Sequence, residues 1–231
     1  EEFNAAQMKA LRLGLEEKLD VSRFAEYTAA YNADDPKIKL KIDHTYRVAA
    51  LCERIAKAAG MCAYDVELAW LSGMLHDVGR FEQIKRYNTF SDADSVDHAK
   101  FGADLLFKDG LISTFLNGMV KCTGYKPGAL EDRYSSDGVF LYDRLNKSDM
   151  EMLELAIRCH NMYRIPQGLN RREQAFCNVL RDADKVDIFK VNIDAPLEEI
   201  YNTTTEELMK SDITDEVLKA FDEEHCILKA S

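Results

Sequence analysis

Residues Leu68 to Arg80 read LAWLSGMLHDVGR, an almost wholly apolar helix that runs straight into an adjacent histidine and aspartate. Leu68, Ala69, Trp70, Leu71, Gly73, Met74 and Leu75 cover every side of that helix, and a helix apolar all round belongs in a core. His76 and Asp77 therefore stand at the inner end of a buried element. An ionised carboxylate there is unstable unless it is paired, strongly hydrogen-bonded or bound to a metal. Gly79 reads as the sharp turn that ends the helix.

Working outward, the chain has only four prolines and no convincing alternation of apolar and polar residues, so the period is helical and the fold class is all-α. Helices are expected over Asn4 to Lys18 and Val21 to Tyr31, with a break at Asp34-Asp35-Pro36. A long one follows from Ile38 to Ala59 and stops at Gly60. Asp65 and Glu67 open the central helix, as acidic residues in a first turn do. The stretch FEQIKRYNTFSDADS after Gly79 reads as a connecting loop, and Asp94 or Ser95 starts a helix to Phe107 that ends before Gly110. Leu111 to Lys121 is helical, and TGYKPGALEDRYSSDG is the most loop-like segment, of the kind that lines a site or moves. Ser148 caps a helix through Asn161, IPQGLN connects, and Arg171 to Lys190 forms the last core helix. Short acidic helices such as Asp215 to His225 are expected on the outside.

With 231 residues, 46% hydrophobic and 31% charged, the chain is expected to form one globular helical bundle, its core at about 38–190 and a peripheral helical tail over 191–231. Neither a membrane helix nor a signal-peptide layout is visible, and a start on Glu1 reads as trimmed, so a cytoplasmic location is expected. The six cysteines form no CxxC pair, most fall among apolar helical residues, and they read as reduced, buried thiols. A net charge of -11 argues against nucleic-acid polymers and anionic membranes as partners, because both demand a basic surface that releases counterions. Local basic residues can still hold a small phosphorylated ligand, and nothing in the sequence fixes the oligomeric state.

Polar residues continue the apolar stripes. On the long helix Val48, Leu51, Cys52, Ile55 and Ala59 share a face, and one turn back from Val48 lies His44. His98 continues Phe101, Gly102, Leu105 and Leu106, and His160 continues Leu153, Ala156 and Ile157. Asp184 follows Phe176 and Leu180 at intervals of four. Residues four apart share a helix face, so each polar group is delivered to the interior by its own helix. A buried polar group demands a partner, and a shared metal centre would satisfy all of these together. Imidazole with carboxylate suits iron, manganese, cobalt, nickel or zinc better than calcium. His225 also continues a stripe, Val217, Leu218 and Phe221, but it sits in the peripheral tail.

In the order His44, His76-Asp77, His98, His160, Asp184, the chain resembles the HD-domain superfamily of metal-dependent phosphohydrolases. The phrases HDVGRFEQ, SVDHAKFGADLLF, HNMYRIPQGL and RDADKVDIF also resemble a bacterial group of HD proteins. The resemblance implies that His44, His76, Asp77 and Asp184 hold one divalent metal and that His98 and His160 hold a second, with Asp77 bridging. The interval from His98 to His160, 160 minus 98 or 62 residues, is longer than in compact dinuclear members and bears on that second site. The implied activity is hydrolysis of a phosphate ester of a nucleotide or another small phosphorylated metabolite. The alternatives are a diiron oxygenase of the same fold and a non-catalytic metal-dependent ligand sensor. Arg80 and Lys185 are candidates for binding the phosphate and stabilising transition-state charge, beside Asp77 as the catalytic bridge. Asn161, Asp97 and Asp43 adjoin proposed ligands but point about 100° away. Arg171 and Arg172 are expected to face solvent, and Tyr87, Tyr125 and Tyr163 are candidates for lining the pocket.

Overall fold

The computed structural model describes residues 19–116, 145–201 and 203–223. The expected helix over Asn4 to Lys18, the TGYKPGALEDRYSSDG loop with Tyr125, residues 117–121 of the helix expected over Leu111 to Lys121, and His225 lie outside the described residues. The regular elements among the described residues are all helices, without a strand among them. The elements are α1 (Leu19–Thr28), α2 (Pro36–Ala58), α3 (Ala63–Leu75), α4 (Val78–Tyr87), α5 (His98–Ala103) with a π-helical turn at Asp104–Lys108, and α6 (Ile112–Phe115). After them come α7 (Lys147–Cys159), α8 (Arg171–Asp194), α9 (Leu197–Tyr201), α10 (Thr205–Met209) and α11 (Asp215–Asp222).

α3 is the centre of the bundle. Every residue from Leu68 to Leu75 is buried, Trp70 and Leu71 completely, as an all-round apolar helix requires. It lies on α2 and also meets α7 and α8, while α2 packs on α8 and α5 on α7. Gly73 lets α3 and α2 come close: a Cβ there would stand 2.6 Å from the Ala49 Cα of α2. Asp35 caps α2 by accepting from the Lys37 amide, with Pro36 opening the first turn, where its missing N–H costs nothing.

The segment after the HD doublet is a correction. FEQIKRY belongs to α4, which Asn88 ends in the left-handed conformation at φ 52°. The helix is masked in sequence because beyond Val78 in its first turn its inward face carries only Phe81 and Ile84 as strong apolar signals, and Gln83 is buried among polar partners. Gly79 therefore ends no helix. It lies inside α4, and a Cβ there would fall 2.3 Å from the His98 carbonyl oxygen and 2.7 Å from the Gly102 nitrogen, so its lack of a side chain lets α4 and α5 touch backbone to backbone. Two caps also differ from expectation. Asn146, rather than Ser148, caps α7 in a capping box with Asp149, and Asp97, rather than Asp94 or Ser95, caps α5.

Arg172 is a second correction. Arg171 is exposed as expected, but Arg172 is half-buried and ties the start of α8 to Asp65 at 2.7 Å and Asp149 at 2.8 Å. Asp149, only 1% exposed, also accepts from the Tyr64 hydroxyl. A buried carboxylate needs this pairing, and its distant partners explain why local sequence concealed it.

Candidate metal centre

Six side chains from separate parts of the bundle meet in its interior. His44 comes from the middle of α2, His76 and Asp77 from the junction of α3 and α4, and His98 from the first turn of α5. His160 follows α7, and Asp184 comes from the middle of α8. All six are buried, as the continuing apolar stripes predict. The long interval between His98 and His160 does not separate them, for their Nε2 atoms stand 3.1 Å apart.

Each imidazole is oriented from behind. At the ends of α3 and α7, His76 Nδ1 donates to the Gly73 carbonyl and His160 Nδ1 to the Ile157 carbonyl, both at 2.7 Å. One local device serves twice: the ring donates back to a carbonyl in the last turn of its own helix, where intrahelical donors run short, and the Ile157 carbonyl also accepts from the His160 amide. His44 Nδ1 and His98 Nδ1 instead donate to carboxylates, Asp187 Oδ2 and Asp92 Oδ2, each at 2.6 Å. Asp187 is locked by Arg47 through Nε at 2.7 Å and a second nitrogen at 2.9 Å. With Nδ1 carrying the proton, a neutral ring presents a bare Nε2 lone pair.

Those lone pairs face one another. His44 and His76 bring their Nε2 atoms to 3.3 Å, close to the 3.1 Å of the other pair. Asp77 lies between the pairs and divides its oxygens: Oδ2 is 3.5 Å from His44 and 3.4 Å from His76, while Oδ1 is 3.6 Å from His98 and 3.8 Å from His160. Asp184 Oδ1 adds to the first group at 3.1 Å from His44 and 3.7 Å from His76. Two acceptor sets result, His44 with His76 and Asp77, and Asp77 with His98 and His160, each compact enough to hold a metal ion. Asp77 Oδ1 is buried with no hydrogen-bond partner. Converging lone pairs and an orphaned carboxylate oxygen repel one another in a dry interior unless a cation lies among them. Nitrogen-rich sets with carboxylate suit a first-row divalent metal.

The protonation pattern follows the same electrostatics. Burial pushes His160 down to about 3, with His76 and His98 adding to the effect, and burial also lowers His98. Burial opposes charge on His76 too, but Asp77 and Asp184 outweigh it and raise its pKa. Asp77 and Asp184 stay below the ordinary carboxylate range although burial works the other way. For Asp77, Lys41 and His76 prevail over burial, and for Asp184 it is the surrounding histidines.

The cations around the centre differ partly from those expected. Arg80 is in place: one terminal nitrogen donates to Gln83, the Phe90 carbonyl and Asp92 at 2.6–2.9 Å, and its Nε lies 3.8 Å from Asp77 Oδ1. That Nε, like Asp77 Oδ1, is buried without a partner. Lys185 is exposed, one residue past Asp184 and so turned about 100° from it. The lysine at the centre is Lys41, whose ammonium contacts Asp77 Oδ2 at 2.5 Å. Lys41, His44 and Arg47 stand three apart on α2, a spacing that places all of them on one face. Asp92 and Asp187 were also missed. Asn161 and Asp97 form part of the surround, Asn161 donating to Asp97 at 3.0 Å and to Asp92 at 3.4 Å. Asp43 instead borders a cleft of about 410 Å³ with Pro36, Arg47 and Pro196, and Tyr87 and Tyr163 are exposed.

The family model for the HD domain matches residues 42–189, a span that holds all six converging side chains. Among curated proteins and among solved structures nothing matches the chain. No described helix is long and apolar enough to cross a membrane.

Proposed function

We propose that this chain, which belongs to the HD domain family, is a metal-dependent phosphohydrolase that cleaves a phosphate ester of a nucleotide or another small phosphorylated metabolite. The observation that carries the reading is Asp77, one carboxylate shared between two histidine pairs with an oxygen left unpartnered. His44, His76, Asp77 and Asp184 are the ligands of one divalent cation, and Asp77, His98 and His160 those of a second. A bound pair of such cations supplies an acidified water and a Lewis-acid clamp on phosphoryl oxygen.

The remaining work falls to the chain itself. Asp187, Asp92 and the Gly73 and Ile157 carbonyls hold each Nδ1 and so aim each Nε2; such outer partners fix ring orientation and raise ligand basicity. Arg80, anchored by Asp92, Gln83 and the Phe90 carbonyl, keeps its buried Nε turned to the centre. A fixed guanidinium there stabilises charge that develops on the phosphoryl group without reorganising. Charge supports a small substrate over a polymer, because basic groups gather at the centre while the chain as a whole carries -11.

The test is metal analysis of the purified protein followed by a panel of nucleotides and other phosphate esters with manganese, in air and under anaerobic conditions. Release of inorganic phosphate in both atmospheres, abolished by chelation, is the expected result. Turnover only with iron and only with oxygen consumption would replace hydrolysis by oxygenase chemistry. Full metal loading without turnover of any ester would make the chain a ligand sensor.

A further inference from the structure

Lys41 is a residue that neither the sequence pattern nor the ligand set accounts for. Its side chain is only 13% exposed, and its ammonium rests on Asp77 Oδ2 at 2.5 Å. That oxygen also faces His44 and His76 and belongs to the first of the two metal-holding groups. Lys41 thus stands where positive charge is needed and supplies it. Once a divalent cation is held by His44, His76 and Asp77, the ammonium and the cation compete for one carboxylate, and like charges that close repel strongly in a poorly hydrated site. The flexible four-carbon stem of a lysine allows its head to leave while its backbone stays on the helix. In its contact with Asp77 the ammonium already shares an aromatic neighbour with Arg80. The Phe90 ring lies 5.5 Å from the ammonium and 5.8 Å from the Arg80 guanidinium carbon, so the two cations flank one half-buried aromatic ring beside the centre.

Resting on the metal-dependent reading above, we propose that Lys41 is a placeholder for the first cation and, once displaced by it, a phosphate-binding residue that acts beside Arg80. The same ammonium neutralises Asp77 in the metal-free protein and a phosphoryl oxygen in the loaded one. Metal and phosphate binding are coupled through it. Metal releases the ammonium for the anion, and a bound anion keeps it from returning to Asp77, so phosphate tightens metal and metal tightens phosphate by one common factor.

The test is calorimetry on the whole chain with manganese and with inorganic phosphate, on wild type, Lys41→Met and Lys41→Arg, each checked for folding by thermal melting. Lys41→Met removes the competitor and the phosphate partner together. It is expected to bind manganese about tenfold tighter without phosphate and to bind phosphate, when manganese-loaded, about tenfold more weakly, since a hydrogen bond to a charged group is worth that much. Lys41→Arg keeps the charge and retains both the weaker metal affinity and the phosphate binding. Manganese affinity of Lys41→Met equal to or below that of wild type overturns the placeholder, and phosphate affinity unchanged overturns the second role. Either result with wild type still binding manganese leaves the metal centre standing, whereas a wild type that binds none removes the reading on which the inference rests.

Discussion

Gly79→Ala tests whether the backbone contact between α4 and α5 sets the second metal group. The added Cβ would lie 2.3 Å from the His98 carbonyl oxygen, while ordinary contact begins at 3.4 Å, so the backbones must part by about 1.1 Å (3.4 minus 2.3). All three nearest atoms are backbone, and no side-chain rotation can relieve the clash. Forced separation of a packed interface costs about 1–3 kcal/mol, which for a chain of this size lowers the melting temperature by roughly 2–12 °C. His98 is on one side of the contact and Asp77 on the other, two residues before Gly79. Metal sites tolerate deviations of only about 0.2 Å in ligand distance, so the Asp77, His98 and His160 group is expected to lose affinity by about 10–100-fold, the range seen when a ligand's support is removed. The assay is metal stoichiometry by plasma mass spectrometry, paired with thermal melting, for wild type, Gly79→Ala and Gly102→Ala. Gly102 is the milder comparison, since its nearest clash is 2.9 Å with the Gly79 nitrogen. Gly79→Ala should fall below Gly102→Ala in both readouts. Wild-type stoichiometry and melting for Gly79→Ala, or a reversed ranking, would refute the role given to this contact.

Other outcomes follow from the same geometry. Asp187→Ala removes the acceptor of His44 Nδ1 and the partner of Arg47; metal affinity should fall by about 10–100-fold, read by competition with a fluorescent chelator, and an unchanged affinity would mean that Asp187 does not orient the ring. Arg172→Ala leaves Asp149 buried without its guanidinium; unfolding in urea should show a loss of about 3 kcal/mol while metal content stays at the wild-type level, and a loss of metal would place this network within the centre. Burial raises Tyr27 to about 12 and raises Tyr31 further in the same direction, whereas an unfolded tyrosine titrates near 10. Their folded pKa values are raised, so the associated stability is complete below pH 10 and is lost as pH climbs through the folded values. Thermal melts of wild type and Tyr27→Phe should therefore differ by a constant amount up to pH 10 and converge above it, and a constant gap through pH 11 would contradict the shift.

The metal-ligand candidates were legible because burial leaves a trace in the helical period. His44, His98, His160 and Asp184 each continue an apolar stripe on their own helix, so local periodicity alone points them inward. The supporting shell leaves no such trace. Asp187 and Arg47 are 140 residues apart and define each other only in three dimensions, and Asp92 acquires its role from the ring of His98 and the guanidinium of Arg80. Lys41 did carry a signal, its three-residue spacing from His44, but a lysine before a helix midpoint usually reads as solvated surface. α4 was hidden for the opposite reason: its buried face spends a position on Gln83, whose amide satisfies Asp92, Ser95 and the Val96 carbonyl, and a polar residue inside breaks the apolar count on which a helix is recognised.

The central claim is that Asp77 joins two divalent cations, and metal content of purified wild type against Asp77→Ala, measured alongside phosphate-ester turnover, tests it most directly. The account predicts two equivalents in wild type and the loss of metal and turnover together in the variant. A folded Asp77→Ala protein that keeps its full complement of metal would contradict it.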